Sequence, residues 1–250
     1  MIWLKTNDYR VFGRKRFVMD WSVFTEFDFA VISKYLPALL SGLANNILLT
    51  VLGFLAGGVF LAIPLALASL SKYRIIRWPT VLFVEFWRST PLLVQAIWMH
   101  FAFPVMTGLQ TSPFQSALIA LVLNVSAYCC EIFRAGILGV PKGQFEASFS
   151  LGMTKTYTWL KVIFPQALKI VIPPLIGTVI SIFKATAILS VLAINDVMRA
   201  AQRVSSYTFK PVEVYTTAAF LAFLVGLMIT IAGQAIEQKY RNKVGRLNGL

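Results

Sequence analysis

The sequence predicts an all-α integral membrane protein of about five membrane-spanning helices. Three observations predict it. Hydrophobic residues make up 58% of the 250-residue chain and charged residues 13%, against about 25% charged in soluble domains. Mean hydropathy is +0.73. Residues 35–71, 89–130 and 214–236 contain no Asp, Glu, Lys or Arg, and a span needs about 20 predominantly apolar residues. These features exclude a disordered tail, a collagen, a coiled coil and an ordinary cytosolic enzyme.

The uncharged runs and their flanks divide into spans over 43–70, 80–103, 114–133, 170–193 and 213–236, within one membrane domain covering 43–240. The first is longer than a bilayer requires, so it tilts or continues beyond the lipid. It carries Gly57, Gly58 and Pro64, which helices in membranes tolerate. Between spans three and four, residues 134–169 form an amphipathic loop holding Arg134, Lys142, Glu146, Lys155, Lys161 and Lys169. It is too polar to span and too patterned for a plain linker. Pro141 and Pro165 bracket a stretch expected to form short helices at the membrane surface.

The formal net charge is +13, which suits an anionic membrane surface. Nucleic acid is not the expected partner, because the basic residues cluster between apolar runs rather than on one aromatic-interleaved stripe. Counting Lys and Arg sets the orientation. With Lys72, Arg74, Arg77 and Arg88 inside, the 134–169 loop and the tail after 237 are also inside, and that side holds 13 of the 23 basic residues. The N-terminal segment 1–42 then lies outside and the tail 241–250 in the cytoplasm. Lys5, Arg10, Arg14, Lys15 and Arg16 run against this rule. Either a long extracellular tail escapes the rule, or the chain starts at Met19, with residues 1–18 not part of the native chain, which lowers the external count from nine to four.

The residues offer little enzyme chemistry. No G-x-x-x-x-G-K-[ST] phosphate loop is present, and Gly152-Met153-Thr154-Lys155-Thr156 has the wrong spacing. A single histidine, His100, cannot build a metal cluster. Cys129 and Cys130 are helix neighbours pointing about 100° apart, poorly placed for a bridge, and read as small apolar wall residues.

The loop is the richest segment. A short helix beginning near Gly143 stops at Gly152, a good C-terminal residue. Phe145, Phe149 and Gly152 share one face. Such a helix either inserts into a groove on a partner protein or lies on lipid.

This segment resembles the EAA loop of ABC-transporter permeases, E-A-A, three residues, G, nine residues, I-x-L-P. Here Glu146-Ala147-Ser148 is followed at the same spacing by Gly152 and then Val162-Ile163-Phe164-Pro165. Ser148, Val162 and Phe164 depart mildly from that pattern. Glu85-Phe86-Trp87-Arg88-Ser89-Thr90-Pro91-Leu92-Leu93-Val94-Gln95 is similar to the E-x-F-R-G-T-P-L-L-V-Q stretch of polar amino-acid permeases, with Ser89 for Gly. Asn124-Val125-Ser126-Ala127-Tyr128 with Glu131-Ile132-Phe133-Arg134-Ala135-Gly136 resembles their N-x-x-A-Y-x-x-E-I-F-R-x-G run. The similarity covers residues 35–240.

The resemblance implies a type I ABC importer permease fold in a bacterial inner membrane. It implies an ABC ATPase dimer as separate subunits, a second permease subunit, identical or paralogous, and an extracytoplasmic binding protein delivering a polar amino acid. No cofactor is expected on this chain, since ATP and Mg belong to the ATPase, and no metal. Gly143, Phe145, Glu146, Ala147, Ser148 and Gly152 become the ATPase-coupling helix. A self-contained secondary transporter is the rival reading, though no internal repeat supports it.

Polar groups inside the spans, supported at Lys184 by where related permeases place pocket residues, draw a candidate substrate path along Asn124 and Lys184, with the apolar Ile188 one turn beyond. A charge at the middle of a span costs about 2.5–3.5 kcal/mol on insertion scales. Lys184 therefore either faces a substrate carboxylate or pairs within the bundle. Asn124 either lines a pocket or hydrogen-bonds between helices. Glu85 and Arg88, three apart on one helical face, form an interfacial ion pair or a gate contact.

Overall fold

The computed structural model describes residues 27–247 of the chain, with side chains to Lys239. The expectations for residues 1–18 and for most of the N-terminal segment lie outside the described residues. All regular structure in the described residues is helical. We number the helices α1 Phe29–Ser69, α2 Arg74–Ser89, α3 Leu92–Thr107, α4 Pro113–Leu138, α5 Lys142–Ser150, α6 Lys155–Leu192, α7 Val197–Thr208 and α8 Pro211–Leu247. Four are long and apolar enough to cross a membrane: α1, α4, α6, and α8 over Pro211–Lys239. Helix α3 is a shorter apolar fifth.

The first span, expected over 43–70, begins instead at Phe29, where Asp28 caps it, and so takes in part of the segment expected to lie outside. Two further boundaries depart from the sequence reading. The span expected over 80–103 is two helices, α2 and α3. Pro91 locks its own φ at −63° and forces Thr90 into extended backbone at φ −103°, ψ 138°, as the residue before proline requires. The second departure is α6, expected to begin near 170. It begins at Lys155, where the Thr154 hydroxyl accepts from the Tyr157 amide, and it runs straight through Pro165.

Three of the prolines inside these helices share one solution. A proline ring clashes with the carbonyl four residues earlier. Pro64, Pro104 and Pro165 each follow a π-helical stretch, at Phe54–Leu61, Trp98–Ala102 and Trp159–Ile163. In each case the carbonyl four residues before the proline (Phe60, His100 or Lys161) lies inside the widened turn. The wider turn relieves the clash and lets the helix continue.

Helix α4 is the central element, packed by α1, α2, α3 and α6. Its buried face is made small by Ala117, Ala120, Ala127, Cys129 and Cys130. Small residues let backbones approach closely in a membrane. At Gly57 the approach leaves no room, since a Cβ there would lie 2.4 Å from the Val122 carbonyl oxygen. At the opposite end of the bundle from α5, the amphipathic α7 buries Val197, Ala200, Ala201 and Val204 against α1 and α8. The outer surface of α8 stays apolar and exposed, with Phe220, Phe223, Met228 and Ile231 all uncovered.

Candidate functional site

The break between α2 and α3 leaves helix-end carbonyls without amide partners. Side chains replace them. Gln95 Nε2 donates to the carbonyls of Trp87 (2.9 Å) and Thr90 (3.0 Å) and to the Thr90 hydroxyl. Asn124 Nδ2, from the middle of α4, donates to the same Trp87 carbonyl at 3.1 Å and to Gln95 Oε1 at 3.0 Å. Both amides are thereby oriented, because turning either one over would oppose oxygen to oxygen.

Beside this network lies a cavity of about 690 Å³ between the α2–α3 break, α4 and α6. Asn124 and Arg88 line it, with Tyr128, Glu131, Thr178 and Ser181. The Arg88 guanidinium sits 5.8 Å from the centre of the Tyr128 ring, and Tyr128 Oη donates to the Arg88 carbonyl at 3.3 Å. Arg88 also reaches Glu85 at 3.3 Å. Glu131 is engaged more fully. Arg134 Nε donates to both of its oxygens at 3.0 Å, and Arg134 Nη2 to Oε2 at 2.7 Å.

The structure separates residues that the sequence reading grouped. Lys184 does not share the cavity with Asn124. It faces a second cavity of about 480 Å³ between α6 and α8, with Asn46, Phe223 and Thr230, and forms no salt bridge among the described residues. Ile188 is exposed and lines neither cavity. The reason is helical phase, since Ser181 and Ala185 turn toward α4 while Lys184 turns toward α8. Tyr128 was visible one helical turn after Asn124. Thr178 and Ser181 gave no signal within an apolar run.

At the end of the bundle where α1 stops and α2 begins, α5 forms a small exposed projection. Gly143, Glu146 and Ala147 are exposed, and Glu146 has no salt bridge among the described residues. Phe145 is not part of the exposed face. It packs edge-on against Trp159, 6.1 Å between centroids, and joins Val140, Ile163 and Ala167. Ser148 is buried as well, its hydroxyl donating to the Gln144 carbonyl at 2.7 Å. These two positions, three apart, form the inward stripe. The exposed apolar groups are instead Phe149 and Leu151, the latter 81% exposed.

Helix α5 ends as its sequence implied. Gly152 adopts φ +73°, the left-handed region open to glycine. Its N–H bonds the Phe149 carbonyl at 2.9 Å and the Met153 N–H bonds the Ser148 carbonyl at 3.1 Å, the paired closure of a Schellman motif. At the other end of the bundle, Asp28 caps α1 by accepting from Ala30 N–H at 3.0 Å and pairs with Lys210. Lys210 holds the Asp28 carboxyl below its ordinary value.

The chain belongs to the family described as binding-protein-dependent transport system inner membrane component, whose model matches residues 58–242. It is thus a multi-pass membrane component of a transport system. It is 39% identical over 217 residues to the L-cystine transport system permease protein TcyB of Bacillus subtilis (strain 168), covering 86% of this chain and 92% of that one. It is 33% identical over 215 residues to the arginine transport system permease protein ArtQ of the same organism, covering 86% and 98%. Among solved structures, an amino acid ABC transporter crystallised with histidines superposes with a TM-score of 0.80 at 35% identity, covering 85% of this chain and 98% of that one. The inward-facing MetNI methionine transporter shares the fold, with a TM-score of 0.68 at 20% identity over 81% of this chain and 96% of that one.

Proposed function

We propose that this chain is the permease subunit of an ABC importer for a polar amino acid, and that two permease subunits, this one and a second copy or a paralogue, enclose the path. Cystine, arginine and glutamine occur in the names of its relatives, which supports the cargo class. The cavity beside Asn124 is the part of the path that this subunit supplies. An extracytoplasmic binding protein delivers the cargo, and ATP is hydrolysed on separate ATPase subunits.

The observation that carries the reading is α5. A nine-residue helix is held on one side by Phe145 and Ser148 and is stopped by Gly152, and among the described residues it leaves Glu146, Ala147 and Phe149, with Leu151 just past its end, exposed. Such a helix fits a groove on a partner. Basic residues surround this end of the bundle (Lys72, Arg74, Arg77, Lys142 and Lys155), which supports placing it in the cytoplasm. The C-terminus is then inside and the N-terminus outside.

Co-purification tests this. The permease, expressed with its ATPase and reconstituted in liposomes, should show ATP turnover that rises when binding protein loaded with amino acid is supplied. Glu146→Arg with Phe149→Glu should abolish that stimulation and leave binding-protein docking intact. Uptake by the permease alone, without ATPase, would overturn the reading.

A further inference from the structure

The hydrogen bonds around the larger cavity give it a polarity. Each neutral polar side chain on its wall has already donated its protons elsewhere. Thr178 Oγ1 donates to the Pro174 carbonyl and Ser181 Oγ to the Gly177 carbonyl, both at 2.9 Å. Tyr128 Oη donates to the Arg88 carbonyl. The two amide protons of Asn124 go to Trp87 and Gln95, so its Oδ1 is the uncommitted atom. What these groups still offer is lone pairs. The cavity's strong donor is the Arg88 guanidinium, which spends one N–H on Glu85 at 3.3 Å, keeps a buried Nε without a partner among the described residues, and lies over the Tyr128 ring. The one carboxylate on the wall, Glu131, has both oxygens engaged by Arg134.

We propose that this cavity binds its cargo as a zwitterion in one fixed sense. The α-ammonium, with its three N–H donors, lies against Asn124 Oδ1 and the Thr178 and Ser181 oxygens. The α-carboxylate lies against Arg88. Asn124 and Tyr128 are four residues apart, about 6 Å of helix rise, so the acceptor and the guanidinium that lies over Tyr128 straddle a group the size of an α-amino acid backbone. With Glu131 consumed by Arg134, no free carboxylate among the described residues of the wall awaits a cationic side chain, and the cavity prefers amino acids with neutral or acidic side chains. Arg88 and Asn124 are thus binding residues with opposite preferences, and Gln95 is a positioning residue that fixes the Asn124 amide. This assignment rests on the cavity being the cargo's path.

The test separates the two claims. Ala185→Cys places a thiol on the cavity wall, while the native Cys129 and Cys130 are fully buried. The complete complex in detergent is labelled with a maleimide in the presence of glutamine, cystine or arginine. If none slows labelling, the cavity is not the path. Given protection, glutamine or cystine should protect at lower concentration than arginine. The protecting amino acid should outperform both its methyl ester and its deamino analogue on the unmutated cavity, a comparison that needs no further variant. Arg88→Gln should raise the half-protecting concentration of the acid about tenfold or more while leaving that of the ester unchanged, with Arg88→Lys partly restoring it. Equal protection by acid and ester, or by arginine and glutamine, would overturn the proposed sense of binding while leaving the path intact.

Discussion

Gln95 and Asn124 lie on different helices and share one hydrogen bond, Asn124 Nδ2 to Gln95 Oε1 at 3.0 Å. Through it the broken α2–α3 helix is joined to α4. Both residues also donate to the Trp87 carbonyl, so a backbone group orphaned by Pro91 is satisfied twice. Gln95 is 5% exposed. Replacing it with Leu strands the Thr90 carbonyl and frees the Asn124 amide to turn. Leaving a buried polar group unpaired costs about 1–3 kcal/mol. Gln95→Leu should therefore lower the thermal midpoint of the purified complex and weaken cargo protection of the Ala185→Cys thiol. Gln95→Glu, which keeps an acceptor for Asn124 but opposes Trp87 and Thr90 with oxygen, should be no better. A Gln95→Leu complex with unaltered midpoint and affinity would show that the network does not set the site.

At Gly152 the backbone conformation is the function. A side chain at φ +73° costs about 1–2 kcal/mol except in Asn or Asp, which tolerate it. Open space surrounds the position, with nothing within 4 Å of an added Cβ, so the penalty is conformational and not steric. Gly152→Ala should fray the last turn of α5 and reduce cargo-stimulated ATP turnover. Gly152→Asn should retain most of it. Equal losses for Ala and Asn would point to a partner contact at this residue instead of a turn requirement.

The parts of this architecture legible in the sequence are those with a one-to-one physical signal. Long uncharged runs give α1, α4, α6 and α8. Glu146-Ala147-Ser148 and Gly152 give α5 and its stop, because few residues other than glycine close a helix in the left-handed region. Legibility fails where two effects cancel or a period vanishes. Pro165 reads as a helix end, yet the π turn at Trp159–Ile163 absorbs its ring. Pro91 stands in an apolar run that conceals a break. Helix α6 is apolar on the face toward lipid and on the face toward α4 alike, so its sequence sets no rotational phase. That is why Lys184 and Ser181, three apart, could not be assigned to different cavities beforehand.

Asn46 ties three elements together from within the bundle. Its Nδ2 donates to Thr186 Oγ1 at 2.9 Å, its Oδ1 accepts the Val197 N–H at the same distance, and it is 1% exposed. Helix α1 is thus bonded to α6 and to the start of α7. Asn46→Leu has similar volume but leaves the first amide of α7 unpaired in an apolar setting, at about 1–3 kcal/mol. The expected result is a lower midpoint with faster hydrogen exchange at the N-terminus of α7. Asn46→Asp should keep the α7 bond and lose the one to Thr186. A Leu variant as stable as the parent would show that water substitutes for the side chain there.

Asp196, in the turn between α6 and α7, is fully buried and caps α7 by accepting from Arg199 N–H at 2.7 Å. Its second oxygen, Oδ2, has no hydrogen-bond partner among the described residues. Burial raises its carboxyl from the ordinary 3.8 to about 6. The folded state therefore holds this proton more tightly than the unfolded chain does. The stability it contributes is complete below the unfolded value, declines as the pH rises from about 4 to about 6, and stays lost above that. Asp28 behaves oppositely, because Lys210 depresses its carboxyl. The stability of that pair is present above the ordinary carboxylate value and is lost as the pH falls through the lowered folded value, so it does not mask the Asp196 window. Asparagine caps helices as well as aspartate and carries no charge to bury. Asp196→Asn should raise the thermal midpoint of the detergent-solubilised protein near pH 8, corresponding to at most about 3 kcal/mol. The gain should vanish near pH 4, where the folded carboxyl is already neutral. A variant less stable than the parent near pH 8 would mean that the Asp196 charge is compensated in the folded protein and that its ionised form is the one the α6–α7 turn is built to hold.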